Sequence, residues 1–270
     1  MSAFVRDWAE FLNLRAIPVV LGAALVFVWV ASRGSPPPST ALFLASLLLT
    51  QVAIAFHNNW CDRDLDAATK PWRLIPCGSL SAVSAHRLSW TLFAIGVAVA
   101  VPLGPFVVLA IAIGTGCGFI YDAGLKRTIW SFAPFCVALP TLPVAAFLVA
   151  GRGDALLAVA YLVGAPLVVA IHLADALPDI PRDRAFGLTT LAMRLGTRSA
   201  YLACWAGVAA AAGLALVFWP TNARPGPLFA VSIGLLAAGI AVARWPRVHR
   251  VIIPVAAVAL ATDWLRRFIS

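Results

Sequence analysis

The residues of this chain best suited to chemistry lie in the stretch NNWCDRDLDAATKPWRLIPCG, residues 58–78. Asn58, Asp62 and Asp66 recur there every four residues. Each such step advances about 40° around an α-helix, so we expect the three side chains to form one stripe. An amide oxygen and two carboxylates repel one another unless a cation lies between them. Oxygen-only ligands favour hard divalent ions, Mg²⁺ above all where a phosphate completes the shell. Asp64 lies off the stripe and is expected to be solvated or paired with a neighbouring Arg.

A second acidic group repeats this spacing in the other half of the chain. Asp175, Asp179 and Asp183 also recur every four residues, although Pro178 and Pro181 argue against one continuous helix. We expect the helix to end near Asp175 and to leave the other two acids on a loop or on a new first turn. Two acidic stripes that face one cavity would suit a diphosphate bridged by Mg²⁺. The plainer alternative, that the acids only cap helices and solvate loops, suits one isolated Asp better than two groups.

A diphosphate ligand also needs fixed positive charges, and three candidates are predicted on the same side as the acids. Arg73 follows the first acidic group by seven residues, Lys126 follows the fourth predicted helix, and Arg15 opens the first. Each has an alternative role as an anchor at the membrane surface. Two histidines beside the acidic groups, His57 and His172, are open between a base or ligand and an ordinary helix-end residue.

The elements that must position these residues are membrane-spanning helices. The 270 residues are 62% hydrophobic and only 11% charged, whereas soluble domains have about 25% charged residues. Apolar stretches of about 20 residues then predict spanning helices. Nine are predicted, at about 14–32, 39–57, 87–104, 105–121, 129–150, 154–174, 199–219, 227–243 and 250–265. The expected fold is all-α: a polytopic membrane protein with about nine transmembrane helices around a central cavity open to the cytoplasmic side, in a single domain of residues 1–270.

The net charge of +9 indicates orientation in a bilayer rather than binding of nucleic acid. With the N-terminus in the cytoplasm, fifteen of the twenty Lys and Arg residues fall in the tail and loops on that side. This bias is what the positive-inside rule predicts, although Arg266 and Arg267 lie on the other side. We predict a multi-pass protein of a bacterial inner membrane, with the site facing the cytoplasm and no nucleic-acid partner.

Three segments resemble signatures of the UbiA superfamily of intramembrane prenyltransferases. Residues 58–78 are similar to its first signature, N-D-x-x-D-x-x-x-D followed by an Arg and a Pro-x-Gly. DALPDIPRDRAFGLTTLAMRLG, residues 175–196, resembles the second, D-x-x-x-D running into D-R-x-x-G-x-x-T-L-A-x-R-L-G. YDAGLKRTIWS, residues 121–131, is similar to a Tyr-x-x-x-Leu-Lys segment. The resemblance covers nearly the whole chain. The departures from it are Asn59 for the usual Asp, Leu74 for the usual Pro, and the two prolines in the second signature.

The resemblance implies a role for each matching position. One Mg²⁺ would be held by the first group and a second by the other, so the implied metal ligands are Asn58, Asp62, Asp66, Asp175, Asp179 and Asp183. Of these, Asp62, Asp66, Asp179 and Asp183 would be the catalytic acids. Arg15, Arg73 and Lys126 would bind the diphosphate of an isoprenyl donor, and Tyr121 would lie near the reacting end of its chain.

The implied reaction moves an isoprenyl group from an isoprenyl diphosphate to a small-molecule acceptor with an electron-rich carbon, commonly an aromatic ring, and releases diphosphate. The alternative is a membrane terpene cyclase of the same family that acts on the isoprenyl diphosphate alone. A transporter would instead need acids or broken helices near the middle of the membrane. Gly114, Gly116 and Gly118 are expected to serve close helix packing.

Overall fold

The computed structural model describes residues 3–12, 16–153, 157–180, 189–218, 227–241 and 246–266, and these contain helices and turns but no β-strand. Each of the nine predicted segments coincides with a helix, and two further short helices, α1 and α4, stand before the first and after the second. The α-helices are α1 Ala3–Phe11, α2 Ala16–Ala31, α3 Ser39–Cys61, α4 Arg63–Thr69, α5 Ala82–Ala100, α6 Pro105–Ala123, α7 Ala133–Val149, α8 Leu157–Ala176, α9 Leu191–Val217, α10 Pro227–Ala241 and α11 Pro246–Arg266.

The length and composition of these helices suit a bilayer. Among the described residues, five helical segments are long and apolar enough to cross a membrane: Ser39–Cys61, Ala82–Leu103, Pro105–Ala123, Val159–Ala176 and Leu191–Val217. Large apolar side chains also face outwards, such as Phe106 at 69% and Val217 at 74% exposure. Helices satisfy their own backbone hydrogen bonds, so such faces can lie in lipid. The predicted all-α membrane fold is confirmed in class.

Turn residues explain where several of the helices begin. Pro105 opens α6, where the missing N–H would have no helical partner anyway, and Gly104 before it has φ 100°, which a side chain would disfavour. Ser81 caps α5 by accepting a hydrogen bond from the Ser84 backbone N–H at 3.0 Å. α9 is broken at Gly196, whose φ of 75° lies outside the helical region.

The expected end of the helix that bears Asp175 is confirmed. α8 stops at Ala176, and a short 3₁₀ turn, Leu177–Asp179, follows it. Pro178 lies inside that turn and cannot supply the N–H that a continuing α-helix would need. Asp175 therefore lies in the last turn of α8, and Asp179 belongs to the 3₁₀ turn after it.

Small residues let neighbouring helices approach closely. Ser46 of α3 donates its hydroxyl to the Gly96 carbonyl of α5 at 2.8 Å. Between α8 and α9, a Cβ added at Gly207 would stand 2.6 Å from the Pro166 carbonyl oxygen and 3.0 Å from the Ala170 Cβ. Such close approach is typical of helix packing in membranes.

We predict that Gly207→Ala destabilises the protein by about 1–3 kcal/mol, because the added methyl must push two helices apart. Gly213→Ala, six residues further along α9, is the matched control, since nothing lies within 4 Å of a Cβ there. It should be neutral or stabilise by up to about 1 kcal/mol through helix propensity. Thermal unfolding followed by circular dichroism in detergent compares the two. Equal midpoints would contradict the packing described here.

Candidate active site

The first acidic stripe survives a break in its helix. α3 ends at Cys61 and α4 begins at Arg63, with Asp62 between them at φ −91° and ψ 0°. The hydrogen bonds between residues four apart nevertheless continue across this break. The Asp62 N–H donates to the Asn58 carbonyl at 2.9 Å, and the Asp66 N–H donates to the Asp62 carbonyl at 2.8 Å. The backbone therefore keeps Asn58, Asp62 and Asp66 at the predicted helical spacing of four residues.

Cations from the end of α6 neutralise Asp62. A 3₁₀ turn, Leu125–Arg127, follows α6 and carries two basic residues. The Lys126 Nζ lies 2.7 Å from Asp62 Oδ2, and the Arg127 Nη2 lies 3.0 Å from Asp62 Oδ1. Lys126, predicted as a diphosphate ligand, thus contacts the first acidic group directly. Arg127 is a neighbour that the sequence reasoning did not select.

Asp66 is paired with cations from the segment that follows it. Its carboxylate is 3% exposed and lies 3.0 Å from the Arg73 Nη1 and 3.4 Å from the Lys70 Nζ. The same Arg73 nitrogen donates to the Asn59 Oδ1 at 3.2 Å. The Arg73 Nε is buried and makes no hydrogen bond within the described residues. This guanidinium therefore retains a donor for an anionic ligand. Asp64 is solvated beside Arg63 as expected, with its side chain 86% exposed.

Sequence reasoning missed a further carboxylate, Asp122. It lies in the last turn of α6, is 4% exposed, and accepts a hydrogen bond on Oδ1 from the Asn58 Nδ2 at 2.6 Å. The Lys126 Nζ is 3.7 Å from the same oxygen. Asp122 is isolated in the sequence, as the only acid between Asp66 and Asp154, and this isolation alone does not indicate its partner.

A cavity of about 510 Å³ extends from part of this charged network into an apolar interior. Asp62, Asp66 and Lys126 do not line it, but their partners Arg73 and Asp122 do. Its polar wall includes Asn58, Asn59, Arg73 and Asp122. The rest is mainly apolar side chains of α2, α3, α6 and α7. Along α3 it reaches from Asn58 to Leu47, which is about 17 Å at 1.5 Å per residue. The cavity is thus charged at one end and mainly apolar along its length, where Gln51 and three threonines also line it.

Two of the predictions on residues in this wall can be compared with the structure. Tyr121 lines the cavity, and its ring meets Phe135 edge-on with centroids 4.8 Å apart. Close packing is confirmed for Gly118, where a Cβ would stand 2.8 Å from the Ile54 side chain. The prediction of close packing is wrong for Gly114, which lines the cavity, and for Gly116. A Cβ added at either residue would have no other group within 4 Å. Their lack of side chains reflects open space rather than a close neighbour.

The second acidic group is described only in part. Asp175 is exposed at the end of α8, and Asp179 closes the following 3₁₀ turn by its backbone. The side chain of Asp179 lies outside the described part of the chain, as do Asp183 and Arg15. Their predicted ligand roles remain predictions.

The two halves of the chain nevertheless meet beside Asp62. The Arg127 side chain contacts Asp62, while its carbonyl accepts hydrogen bonds from the Thr189 N–H at 3.4 Å and hydroxyl at 3.3 Å. A second bridge joins Ser131 Oγ to His172 Nε2 of α8 at 2.9 Å. Arg127 thus links Asp62 of the first acidic group to Thr189, which follows the second acidic group in the sequence.

Comparison with known proteins decides the family. The model of the UbiA prenyltransferase family matches residues 19–251. The chain belongs to this family. It is 30% identical over 212 residues to the digeranylgeranylglyceryl phosphate synthase of Methanoregula boonei, covering 74% of each chain. It is 31% identical over 242 residues to the lycopene elongase/hydratase of Haloferax volcanii, covering 84% of this chain and 76% of that protein.

A solved structure of this family has the same fold. The UbiA homolog from Archaeoglobus fulgidus bound to GPP and Mg²⁺ superposes with a TM-score of 0.75 at 17% identity, covering 97% of this chain and 98% of that one. The predicted family is confirmed, and so is the predicted class of enzyme. The protein is an integral membrane transferase of prenyl groups.

The oxygen donors of the UbiA site fit a hard divalent ion. Asn58, Asp62 and Asp66 offer only amide and carboxylate oxygens, the set that Mg²⁺ accepts. Among the residues that the structure describes, acids, histidines and cysteines form no group of three that could hold a metal ion; the side chains of Asp179 and Asp183 are not among them. The unused Arg73 Nε beside these donors fits the anion.

We predict that Arg73→Met lowers the free energy of unfolding of the ligand-free protein by about 3 kcal/mol, because it leaves Asp66 buried with Lys70 alone. Arg63→Met is the control. Arg63 pairs with the exposed Asp64 at 3.5 Å, donates to the Trp60 carbonyl at 2.8 Å and lies over the Trp60 ring, but it leaves no charge buried, so its loss should cost only about 1 kcal/mol. Chemical denaturation in detergent measures both. A similar loss in the two variants would show that the Asp66 pair does not stabilise the fold.

Proposed function

We propose that this chain is an intramembrane prenyltransferase that uses Mg²⁺ to move an isoprenyl group from an isoprenyl diphosphate to an electron-rich acceptor, commonly an aromatic ring, with release of diphosphate. The observation that carries the proposal is the cavity, which places four polar groups at one end of an apolar channel. An isoprenyl diphosphate has the same division into a charged head and a hydrocarbon tail. Burial of its tail against apolar helices has little desolvation cost.

The head group would lie among the charged residues already paired with one another. Arg73 has an unused Nε, and Lys126 can turn its ammonium from Asp62 to a phosphate oxygen. The carboxylates that lose a cation would hold Mg²⁺, with Asn58, Asp62 and Asp66 on one side and Asp175, Asp179 and Asp183 on the other. When bound, Mg²⁺ supplies Lewis-acid stabilisation of the departing diphosphate. The solved structure of a UbiA homolog bound to GPP and Mg²⁺ supports the choice of this ion and of a prenyl diphosphate.

The protein's own groups would then act on the two ends of the breaking bond. As the allylic C–O bond breaks, Arg73 and Lys126, with Arg15, stabilise the negative charge that develops on the diphosphate. Tyr121 and Phe135 flank the carbon end, and the apolar walls exclude water that would quench the cation. The acceptor carbon forms the new C–C bond and loses one proton, so the products are the prenylated acceptor and diphosphate.

We also propose that the charged end of the cavity faces the cytoplasm. The uneven distribution of Lys and Arg supports this orientation. A bacterial inner membrane as the location stays a prediction from the sequence.

We expect the purified protein to convert labelled isoprenyl diphosphates only with Mg²⁺ and an acceptor, and to stop when EDTA is added. Asp62→Ala and Asp66→Ala should reduce turnover by about a hundredfold or more, while Asp64→Ala, an exposed acid of the same segment, should not. Mass spectrometry identifies the product. Diphosphate released together with a hydrocarbon or a terpene alcohol, in the absence of any acceptor, would indicate the cyclase instead. Near-normal turnover of either alanine variant would refute the ligand assignment.

We further predict that Gly114→Leu discriminates against long donors. Gly114 lines the cavity eight residues before Asp122, about 12 Å along α6. A Leu there would fill the space that a long tail needs, at a cost of about 1–3 kcal/mol. The ratio of kcat/KM for geranylgeranyl over geranyl diphosphate should fall about tenfold or more. Gly116→Leu is the control, because a Cβ there also has nothing within 4 Å but Gly116 does not line the cavity, and it should leave the ratio unchanged. An unchanged ratio in Gly114→Leu would show that the isoprenyl tail does not lie along this part of the cavity.

A further inference from the structure

Asp122 has no role in the proposed function, but it contacts two residues that have one, Asn58 and Lys126. Its contacts come from α3 and from the 3₁₀ turn that follows α6. Asn58 donates to its Oδ1 at 2.6 Å, and the Lys126 Nζ lies 3.7 Å from that oxygen. The His57 Nδ1 lies 3.9 Å from Oδ2. Oδ2 is buried and makes no hydrogen bond within the described residues. A buried carboxylate with one oxygen that accepts no hydrogen bond is costly, so its contacts with Asn58 and Lys126 call for an explanation.

The first consequence concerns the orientation of Asn58. A primary amide carries a donor and an acceptor on one planar group, and a carboxylate can only accept. Asp122 therefore selects the orientation in which the Asn58 NH₂ faces it and the Asn58 Oδ1 points away. A hard cation binds an amide only through its oxygen. The carboxylate thus decides which end of Asn58 is available as a ligand.

The second consequence concerns Lys126. Its ammonium is shared between Asp62 at 2.7 Å and Asp122 at 3.7 Å. Lys126 follows Asp122 by four residues, so one turn of chain joins the two. If the Lys126 ammonium turned from Asp62 to a phosphate oxygen, the Asp122 carboxylate would still lie beside it.

We propose that Asp122 is a positioning residue of this site. Its carboxylate fixes the Asn58 amide with the oxygen towards the metal–diphosphate ligand and restrains the Lys126 ammonium next to that ligand. The proposal deepens the proposed function and takes the identity of the ligand from it, whereas the contacts themselves are independent of it.

The test measures binding without prenyl transfer. Stabilisation against thermal unfolding by inorganic pyrophosphate is titrated with Mg²⁺ for the wild type and two variants. Asp122→Leu removes both the acceptor and the charge, so it should raise the half-maximal Mg²⁺ concentration about 10–100-fold, as loss of a residue that orients a ligand does. Asp122→Asn keeps an acceptor oxygen and should raise it less. Asp64→Asn should leave it unchanged.

A double-mutant cycle then separates positioning from a general loss of structure. If Asp122 acts partly through Asn58, Asp122→Leu should add less to Asn58→Ala than it adds to the wild type. Once the amide is gone, only the restraint on Lys126 is left to lose. A midpoint for Asp122→Leu equal to that of the wild type, or effects that multiply in full, would overturn the proposal. If Asp122→Leu does not fold, Asp122→Asn is used in the same cycle. A half-maximal Mg²⁺ concentration equal to that of the wild type would then overturn the proposal.

This readout separates failure of the inference from failure of the proposed function. Pyrophosphate binding needs no isoprenyl acceptor. A wild type that makes no prenylated product but shows coupling between Asn58 and Asp122 would support the inference and refute the function. Normal prenyl transfer together with unaltered binding in Asp122→Leu would refute the inference alone.

Discussion

Charge balance at the end of an apolar helix bundle is the constraint on which the rest of the site depends. Isolated carboxylates cannot be buried there without a partner. Asp62 and Asp66 each have two basic groups within 3.4 Å, and Asp122 has the Asn58 amide and a share of Lys126. These cations come from segments that follow α4 and α6. Neutralising the acids is therefore also what brings those segments to the mouth of the cavity.

Such a network suits a site whose ligand carries both signs of charge. Removing one member of a buried pair costs far more than replacing both members together. A magnesium diphosphate offers a cation to Asp62 and Asp66 and an anion to Lys126 and Arg73, so each group could exchange its partner without becoming unpaired. The ligand-free contacts can thus be understood as an internal substitute for the ligand. If the proposed ligand binds there, these contacts hold the side chains in place beforehand and limit the reorganisation that binding requires.

The sequence predicted what depends on local period and composition. The nine apolar segments, the stripe through Asp62, and the helix end after Asp175 follow from hydropathy, a spacing of four and proline chemistry. Asp122 and the role of Gly114 could not be found in this way. A carboxylate becomes a partner of Asn58 only when α6 packs against α3, and a glycine that opens a cavity has the same sequence signature as one that admits a neighbouring helix. Both depend on tertiary packing.

The apolar length of the cavity explains why the chemistry belongs inside a membrane. A cation formed next to bulk water would react with water first, whereas walls from α2, α3, α6 and α7 leave it few other partners. The same helices present apolar side chains to the lipid on the outside and to the cavity on the inside. One apolar composition therefore suits both the bilayer and an isoprenyl chain. Both features depend on α3, because Ser46 fixes its packing on α5 while Asn58, twelve residues further along the same helix, donates to Asp122. The position of the ligand thus follows from the packing of one helix.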